Sequence, residues 1–109
     1  DEGKANAAGA LEILVCNDDA NKTAVAAAGA IPPLMELLCN GSDEGKANAA
    51  GALGNLAAGN NANAAAVMAV GAIPPLEALQ CGGSDKGRAK AAGALRIFEI
   101  LEIMGLTDA

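Results

Sequence analysis

Apolar residues recur at helical spacing along most of the chain, and short breaks of Gly, Asn or Pro separate the helical stretches. In the middle of the chain, one helix face carries Ala49, Ala50, Leu53, Leu56 and Ala57. Ser42 precedes this stretch as a good N-cap residue, and Gly59 breaks the pattern after it. The pattern therefore predicts a long helix over residues 43–58.

Two shorter helices are predicted after this long one. The first covers residues 62–70 and ends at Gly71. The second begins with Pro74 and Pro75 and runs to Cys81, where two glycines stop it. Proline fits the first turn of a helix because the N–H groups there have no intrahelical acceptor. Pairs of short helices thus alternate with long helices along the chain.

This pattern has a fixed period of 42 residues. The segment DEGKANAAGAL at residues 1–11 returns at residues 43–53, and a looser copy, DKGRAKAAGAL, occupies residues 85–95. Residues 1–42 and 43–84 are identical at 27 aligned positions without a gap. A fixed period of this length is typical of stacked helical units that bury a continuous core between them.

We therefore predict one all-α domain built from repeats. Its parts are a lone long helix in residues 1–16, a repeat in residues 17–58, a repeat with an extended last helix in residues 59–104, and a tail in residues 105–109. Each unit of such an array buries its apolar face against its neighbours. The first long helix is therefore expected to belong to a longer array or to be covered by another chain.

The order of these motifs resembles the armadillo repeat. A glycine turn leads into GAIPPL at residues 29–34 and 71–76, and a long helix follows with ANAAGALGNLA at residues 47–57. HEAT repeats are the nearest alternative, but they normally have two helices per unit. The resemblance implies a right-handed α-solenoid of two short helices (H1 and H2) and one long helix (H3) per unit. It also implies a concave face, lined by H3, that binds extended peptides or protein surfaces.

In family members that bind extended peptides, each H3 presents a Trp and, one turn later, an Asn that holds the peptide main chain. The aligned Trp position is a glycine in all three long helices of this chain, and only Asn55 keeps the Asn. Acidic residues, which often accompany basic ligands, are missing from the stripe, and this argues against a ligand of the nuclear-localisation type. The predicted concave stripe consists of Asn6, Gly9, Ile13, Asn48, Gly51, Asn55, Lys90, Gly93 and Ile97.

Two features of this stripe allow alternative interpretations. Glycine inside a helix costs about 1 kcal/mol relative to alanine, so three glycines at one repeat position call for a reason. They indicate either close approach of a neighbouring helix or another chain, or a shallow cleft open to a partner. Ile13 and Ile97 are either exposed contact residues or, if the helices are rotated, part of the core.

The end of the chain departs from the repeat. A break is due near residue 101, but RIFEILEIM continues the helical pattern, and we predict a helix over residues 85–104. Few polar positions remain around it, so it is expected to bury against its own repeat or against a second copy of the chain. The predicted self-association residues are Phe98, Ile100, Leu101, Ile103 and Met104.

The amino-acid composition argues against several classes of function. The net charge is −6, and residues 1–44 account for all of it, which argues against nucleic acid despite a short basic strip in residues 86–96. The chain has no His and no clustered Cys, and no catalytic motif, so we predict no enzyme, no metal, no cofactor and no small-molecule substrate. No apolar run is long enough to predict a membrane span.

The cysteines and the N-terminal sequence bear on location. Cys16, Cys39 and Cys81 form no close pair, and we interpret them as small buried residues in a reducing compartment. Without a visible signal peptide, an intracellular location, cytoplasmic or nuclear, is expected.

The predicted function is a protein–protein interaction scaffold that binds a peptide or protein surface through the concave stripe. The alternative is a structural repeat fragment that forms homo-oligomers through uncapped ends and has no ligand of its own. A third interpretation, the substrate-recognition part of a ubiquitin ligase, depends on the resemblance alone. Plant ligases of the U-box type carry similar arrays, but the sequence contains no U-box.

Overall fold

A computed structural model of the chain describes residues 2–105, and within them every regular element is an α-helix. Asp1 and most of the predicted 105–109 tail lie outside the described residues. The prediction of an all-α fold is confirmed, and the helix ends differ from the predicted ones by about a residue. The helices are α1 (Glu2–Leu14), α2 (Asp19–Ala27), α3 (Ile31–Asn40), α4 (Asp43–Ala57), α5 (Asn61–Ala69), α6 (Ile73–Gly82) and α7 (Asp85–Ile103).

The two H1–H2 pairs, α2–α3 and α5–α6, bend sharply at the glycine turn. The bends are 83° and 80°. Gly29 and Gly71 have φ angles of +88° and +81°, a left-handed conformation that strongly favours glycine. The prolines that follow lie in the first turns of α3 and α6, where they remove no helical hydrogen bond. The GAIPPL motif therefore marks a corner followed at once by a helix start.

The three H3 helices, α1, α4 and α7, form the centre of the fold. Helix α4 packs against α1 on one side and against α7 on the other, while α3 covers α4 and α6 covers α7. Small residues let α4 and α7 approach closely: a Cβ atom at Gly54 would lie 3.1 Å from the Cβ atom of Ala94. Leu53, Leu56 and Phe98 fill the remaining volume of the core.

The junction between the two repeats is held by buried polar groups as well as by apolar packing. The side-chain amide of Asn63 donates to the carbonyl oxygens of Lys22 and Leu56, at 3.1 and 3.0 Å. The Lys22 side chain is itself buried and donates to the carbonyl oxygen of Ala58, just past the end of α4. A cation at the C-terminus of a helix is favourable because the unpaired carbonyl groups there carry partial negative charge.

We expect Asn63→Ala to lower the free energy of unfolding by about 1–2 kcal/mol, because it leaves two buried carbonyl groups without this donor. Chemical denaturation monitored by circular dichroism measures the effect. The matched control is Asn61→Ala, two positions earlier in the same helix, where the side chain is exposed. Equal losses for the two variants would contradict the assigned role of Asn63.

The cysteine prediction is wrong in one respect. Cys16, Cys39 and Cys81 are all free and exposed, not buried. Cys39 and Cys81 occupy the same repeat position near the ends of α3 and α6, on the side turned away from the core. Apolar character alone predicted burial, whereas the rotation of each H2 helix decides it.

No single helix within residues 2–105 has the length and hydropathy that a membrane crossing requires, although the bent pairs α2–α3 and α5–α6 meet the criterion when each pair is taken together.

Candidate functional site

The central part of the predicted concave stripe is tied to the neighbouring helix α1. The side-chain amide of Asn48 donates to the carbonyl oxygen of Ala5 at 2.9 Å, and that of Asn55 donates to the carbonyl oxygen of Glu12 at 3.1 Å. Asn48 is buried and Asn55 half-buried. Each amide thus uses one of its two N–H groups for a hydrogen bond that holds α1 against α4.

A side chain that the sequence analysis did not single out lies across the centre of the stripe. The Glu12 carboxylate extends from α1 over Gly51 of α4 and forms an ion pair with Lys90 of α7. A Cβ atom at Gly51 would lie 2.5 Å from Cδ of Glu12, so a side chain at this position would displace the Glu12 carboxylate from its place over α4. The ion pair joins α1 to α7 across α4, and Gly51 is buried beneath it.

The three stripe glycines therefore have different roles. Gly9 faces the Asn48 amide, whose Nδ2 would lie 3.1 Å from an added Cβ atom, and Gly51 lies under Glu12. Gly93 has no atom within 4 Å of an added Cβ position, and it is exposed. Close approach explains the first two glycines, and the open-cleft interpretation fits Gly93.

Two parts of the predicted stripe remain accessible to solvent, one on each side of the centre that Glu12 covers, and they are called strips below. The α1 strip consists of Asn6, Gly9 and Ile13, and the α7 strip of Lys90, Gly93 and Ile97. Ile13 is 77% exposed, although it is a large apolar residue, whereas Ile97 is half-buried and packs against the core. The structure therefore brings the predicted residues to one face but does not make them one continuous groove.

The predicted self-association residues divide into two groups. Phe98 and Leu101 are only 2% and 8% exposed and belong to the core, so they offer no surface to a second copy. Ile100, Ile103 and Met104 are exposed. Because their spacing puts them on one helix face, they form an apolar patch at the end of α7.

The face of the last repeat that lies beyond α7 and α6 is polar, contrary to the expectation of an apolar end. Four residues on this face are exposed, whereas the residues at the equivalent positions of the preceding repeat are mostly buried. In that repeat, the following unit covers these positions. Such a polar outer face is typical of the terminal unit of a repeat array. The four are Glu77, Gln80, Arg96 and Glu99, and their counterparts are Met35, Leu38, Gly54 and Ala57.

A second ion pair joins α4 to α7 near their N-termini. The Lys86 ammonium donates to the Glu44 carboxylate. This hydrogen bond and the charge of Lys86 lower the pKa of Glu44, and a hydrogen bond from Asn48 acts in the same direction. Because the pKa of Glu44 is lower in the folded chain than in the unfolded chain, the ionised carboxylate stabilises the fold at pH values above its pKa in the unfolded chain. This contribution is lost as the pH falls through the lowered pKa of the folded state.

We expect Lys86→Met to raise the pKa of Glu44 toward its ordinary value, because the main cause of the shift is removed. A pH titration of the side-chain carboxyl carbon by NMR measures it. Lys90→Met is the control, since Lys90 pairs with Glu12 instead. A Glu44 titration that is identical in the wild type and Lys86→Met would contradict the assigned pair.

The described residues contain no group of three or more His, Cys, Asp or Glu that could hold a metal ion. Searches of curated proteins and of solved structures found no significant match. The family model of the armadillo/beta-catenin-like repeat matches residues 18–58, which contain α2, α3 and α4 and thus one H1–H2–H3 unit. Residues 60–100 repeat the same helix order one period later. Residues 18–58 therefore form an armadillo-type repeat, and the resemblance to the armadillo-repeat family is confirmed for this part of the chain.

Proposed function

We propose that the chain is a protein-interaction scaffold that binds a peptide or protein surface through the two open strips of its concave face. Armadillo repeats typically mediate protein interactions, and the family is generally non-enzymatic. The observation that carries the proposal is Ile13, a large apolar side chain left 77% exposed beside the half-buried Asn55. Exposed apolar residues grouped with polar ones are typical of interaction surfaces.

The chemistry of the strips favours a ligand with apolar anchor residues. The acidic side chain at the centre, Glu12, is already paired with Lys90, so it has no free charge for a basic ligand. Ile13 and Ile97 offer apolar contact, and the exposed Gly93 lets a partner approach the α7 backbone. Buried apolar anchors supply most of the binding energy of such interfaces.

The proposal is tested with peptides selected from a random peptide display library on the immobilised chain. Ile13→Asp is expected to weaken binding of the selected peptides at least tenfold, because it puts a charge where an apolar anchor packs. Val70→Asp is the matched control, since Val70 is 40% exposed and lies at the C-terminal end of α5 as its C-cap residue, outside the strips. Selected peptides that bind Ile13→Asp as well as the wild type would contradict the proposal.

A second candidate function is self-assembly through the apolar patch of Ile100, Ile103 and Met104. This patch is exposed to the extent of 48%, 81% and 63% at its three residues. If it is the interface, light scattering will give a mass above that of the monomer, and Ile103→Asp will return it to the monomer mass. A monomer at high concentration would rule out this function.

A further inference from the structure

The centre of the concave face is occupied by a side chain of the protein itself. Glu12 of α1 extends over α4 and pairs with Lys90 of α7, although α1 and α7 pack on opposite sides of α4. The Glu12 side chain is only 15% exposed, whereas that of Lys90 is 36% exposed. Solvent therefore reaches the lysine of this pair more easily than the carboxylate.

The floor beneath the Glu12 carboxylate is the backbone of α4 at Gly51. This glycine is buried, and a Cβ atom added to it would lie 2.5 Å from Cδ of Glu12. The carboxylate thus fills the space that a side chain at position 51 would need. We call this place, formed by Gly51 and the Lys90 ammonium group, the central recess.

The chemistry of the central recess favours a carboxylate. A lysine ammonium group has three N–H donors and no acceptor, so its partner must supply acceptor oxygens. A hydrogen bond to an ionised acceptor is about twice as strong as one between neutral groups. An acidic side chain is therefore held in the recess more firmly than the amide of Asn or Gln, which has nearly the same shape.

We infer that the central recess is a subsite for an acidic residue of the ligand, and that Glu12 occupies it in the free chain. The inference rests on the proposed function, because the ligand is taken to follow the two strips. The recess lies between them, so a peptide that contacts both Ile13 and Ile97 passes over Gly51. An Asp or Glu side chain of this peptide replaces the Glu12 carboxylate on Lys90.

Glu12 thus competes with the ligand for Lys90. Because it is attached to α1, its effective concentration at the recess is on the order of millimolar or higher. Ion pairs that are partly exposed to water contribute little net stability, so Glu12 can move into solvent at small cost. The competition lowers the affinity for an acidic ligand without excluding it. Removal of the Glu12 carboxylate should therefore strengthen binding.

The test uses fluorescein-labelled peptides that were selected from the display library on the intact chain, with binding followed by fluorescence anisotropy. Each Asp or Glu of a peptide is changed in turn to Asn or Gln. We expect one of these changes to weaken binding about tenfold, because it removes a charge-assisted hydrogen bond. The peptide with this change is the amide version, and the original is the acidic version.

Glu12→Ala should strengthen binding of the acidic version about fivefold, because the internal competitor is removed, and should leave the amide version unaffected. The matched control is Glu99→Ala, which removes an exposed acid from the outer face of the last repeat. Equal effects of Glu12→Ala and Glu99→Ala would overturn the inference, since they would show only the change in net charge.

The role of Lys90 is tested in the Glu12→Ala chain, so that no unpaired Glu12 charge repels the peptide. Addition of Lys90→Met should abolish the difference in affinity between the acidic and amide versions. Addition of Lys86→Met is the control, because Lys86 pairs with Glu44 outside the recess, and the difference should remain. Circular dichroism checks that each variant folds.

Two further results would overturn the inference: binding that no acid-to-amide change weakens, or a difference between the two versions that persists in Lys90→Met. Failure of the proposed function gives a separate result, since the peptides would then bind Ile13→Asp as well as the wild type. Peptides that need Ile13 but no acidic residue would leave the strips as the binding site and contradict the recess alone.

Discussion

Phe98→Ala should lower the free energy of unfolding by about 3–5 kcal/mol, the usual cost of deleting a buried aromatic side chain. Phe98 is the chain's one aromatic residue and is only 2% exposed, in the core between α7 and its neighbours. The buried core cluster to which Phe98 belongs consists mostly of Ala and Leu, which cannot expand to fill the space. Since domains of this size are stable by about 5–15 kcal/mol, this one substitution removes a large share of the total.

The matched control for Phe98 is Ile103→Ala, five positions further along the same helix. Ile103 is 81% exposed, so its truncation creates no cavity. Urea denaturation of both variants, together with light scattering, separates the two roles proposed for this helix. A small loss of stability with a change of mass for Phe98→Ala would restore the sequence-based prediction that Phe98 lies at an interface.

Gly54→Leu should cost about 3 kcal/mol, the upper part of the usual range for overpacking. A Cβ atom at Gly54 would lie 3.1 Å from Cβ and 3.2 Å from Cα of Ala94, and the second of these is backbone that cannot rotate away. The larger side chain must therefore separate α4 from α7 at this point. Thermal unfolding measures the loss.

Gly93→Ala is the opposite case in the neighbouring helix. Gly93 has open space around its Cβ position, so the better helix propensity of alanine should raise the stability by up to about 1 kcal/mol. The two substitutions together test whether the atoms around a helical glycine decide if its replacement raises or lowers the stability of the fold. A gain in stability for Gly54→Leu would show that α4 and α7 are packed less closely than described.

The periodic features of the fold could be predicted from the sequence because local chemistry determines them. Ser42 and Ser84 recur one period apart, and each accepts a hydrogen bond from a backbone N–H three residues later, at 3.1 Å. The prolines and glycines of the two GAIPPL motifs define the corners between H1 and H2 in the same way. These signals lie within a few residues of each other, so sequence reasoning detects them.

The arrangement of side chains across helices could not be predicted in the same way. Glu12 meets Lys90, 78 residues away, only because α1, α4 and α7 pack side by side. The sequence does show that Glu12 is unusual, because the equivalent positions of the other H3 helices are Gly54 and Arg96. The repeat pattern alone does not show the direction in which the Glu12 side chain points.

The burial of the α7 residues was ambiguous for a related reason. The end of this helix is apolar on several faces, so the pattern does not show which face turns inward. Packing against α6 and α4 buries Phe98 and Leu101 and leaves Ile100 and Ile103 exposed. Sequence periodicity therefore predicted the helix, whereas tertiary packing determined its surface.

The proposed function requires that the open strips of the concave face bind a protein ligand. The most direct measurement is NMR chemical-shift mapping, in which the ¹⁵N-labelled chain is titrated with a peptide selected from the display library. We expect the amide signals of Ile13, Gly93 and Ile97 to shift most and to saturate together. Shifts confined to the outer surfaces of α2, α3, α5 or α6, with these three signals unchanged, would contradict it.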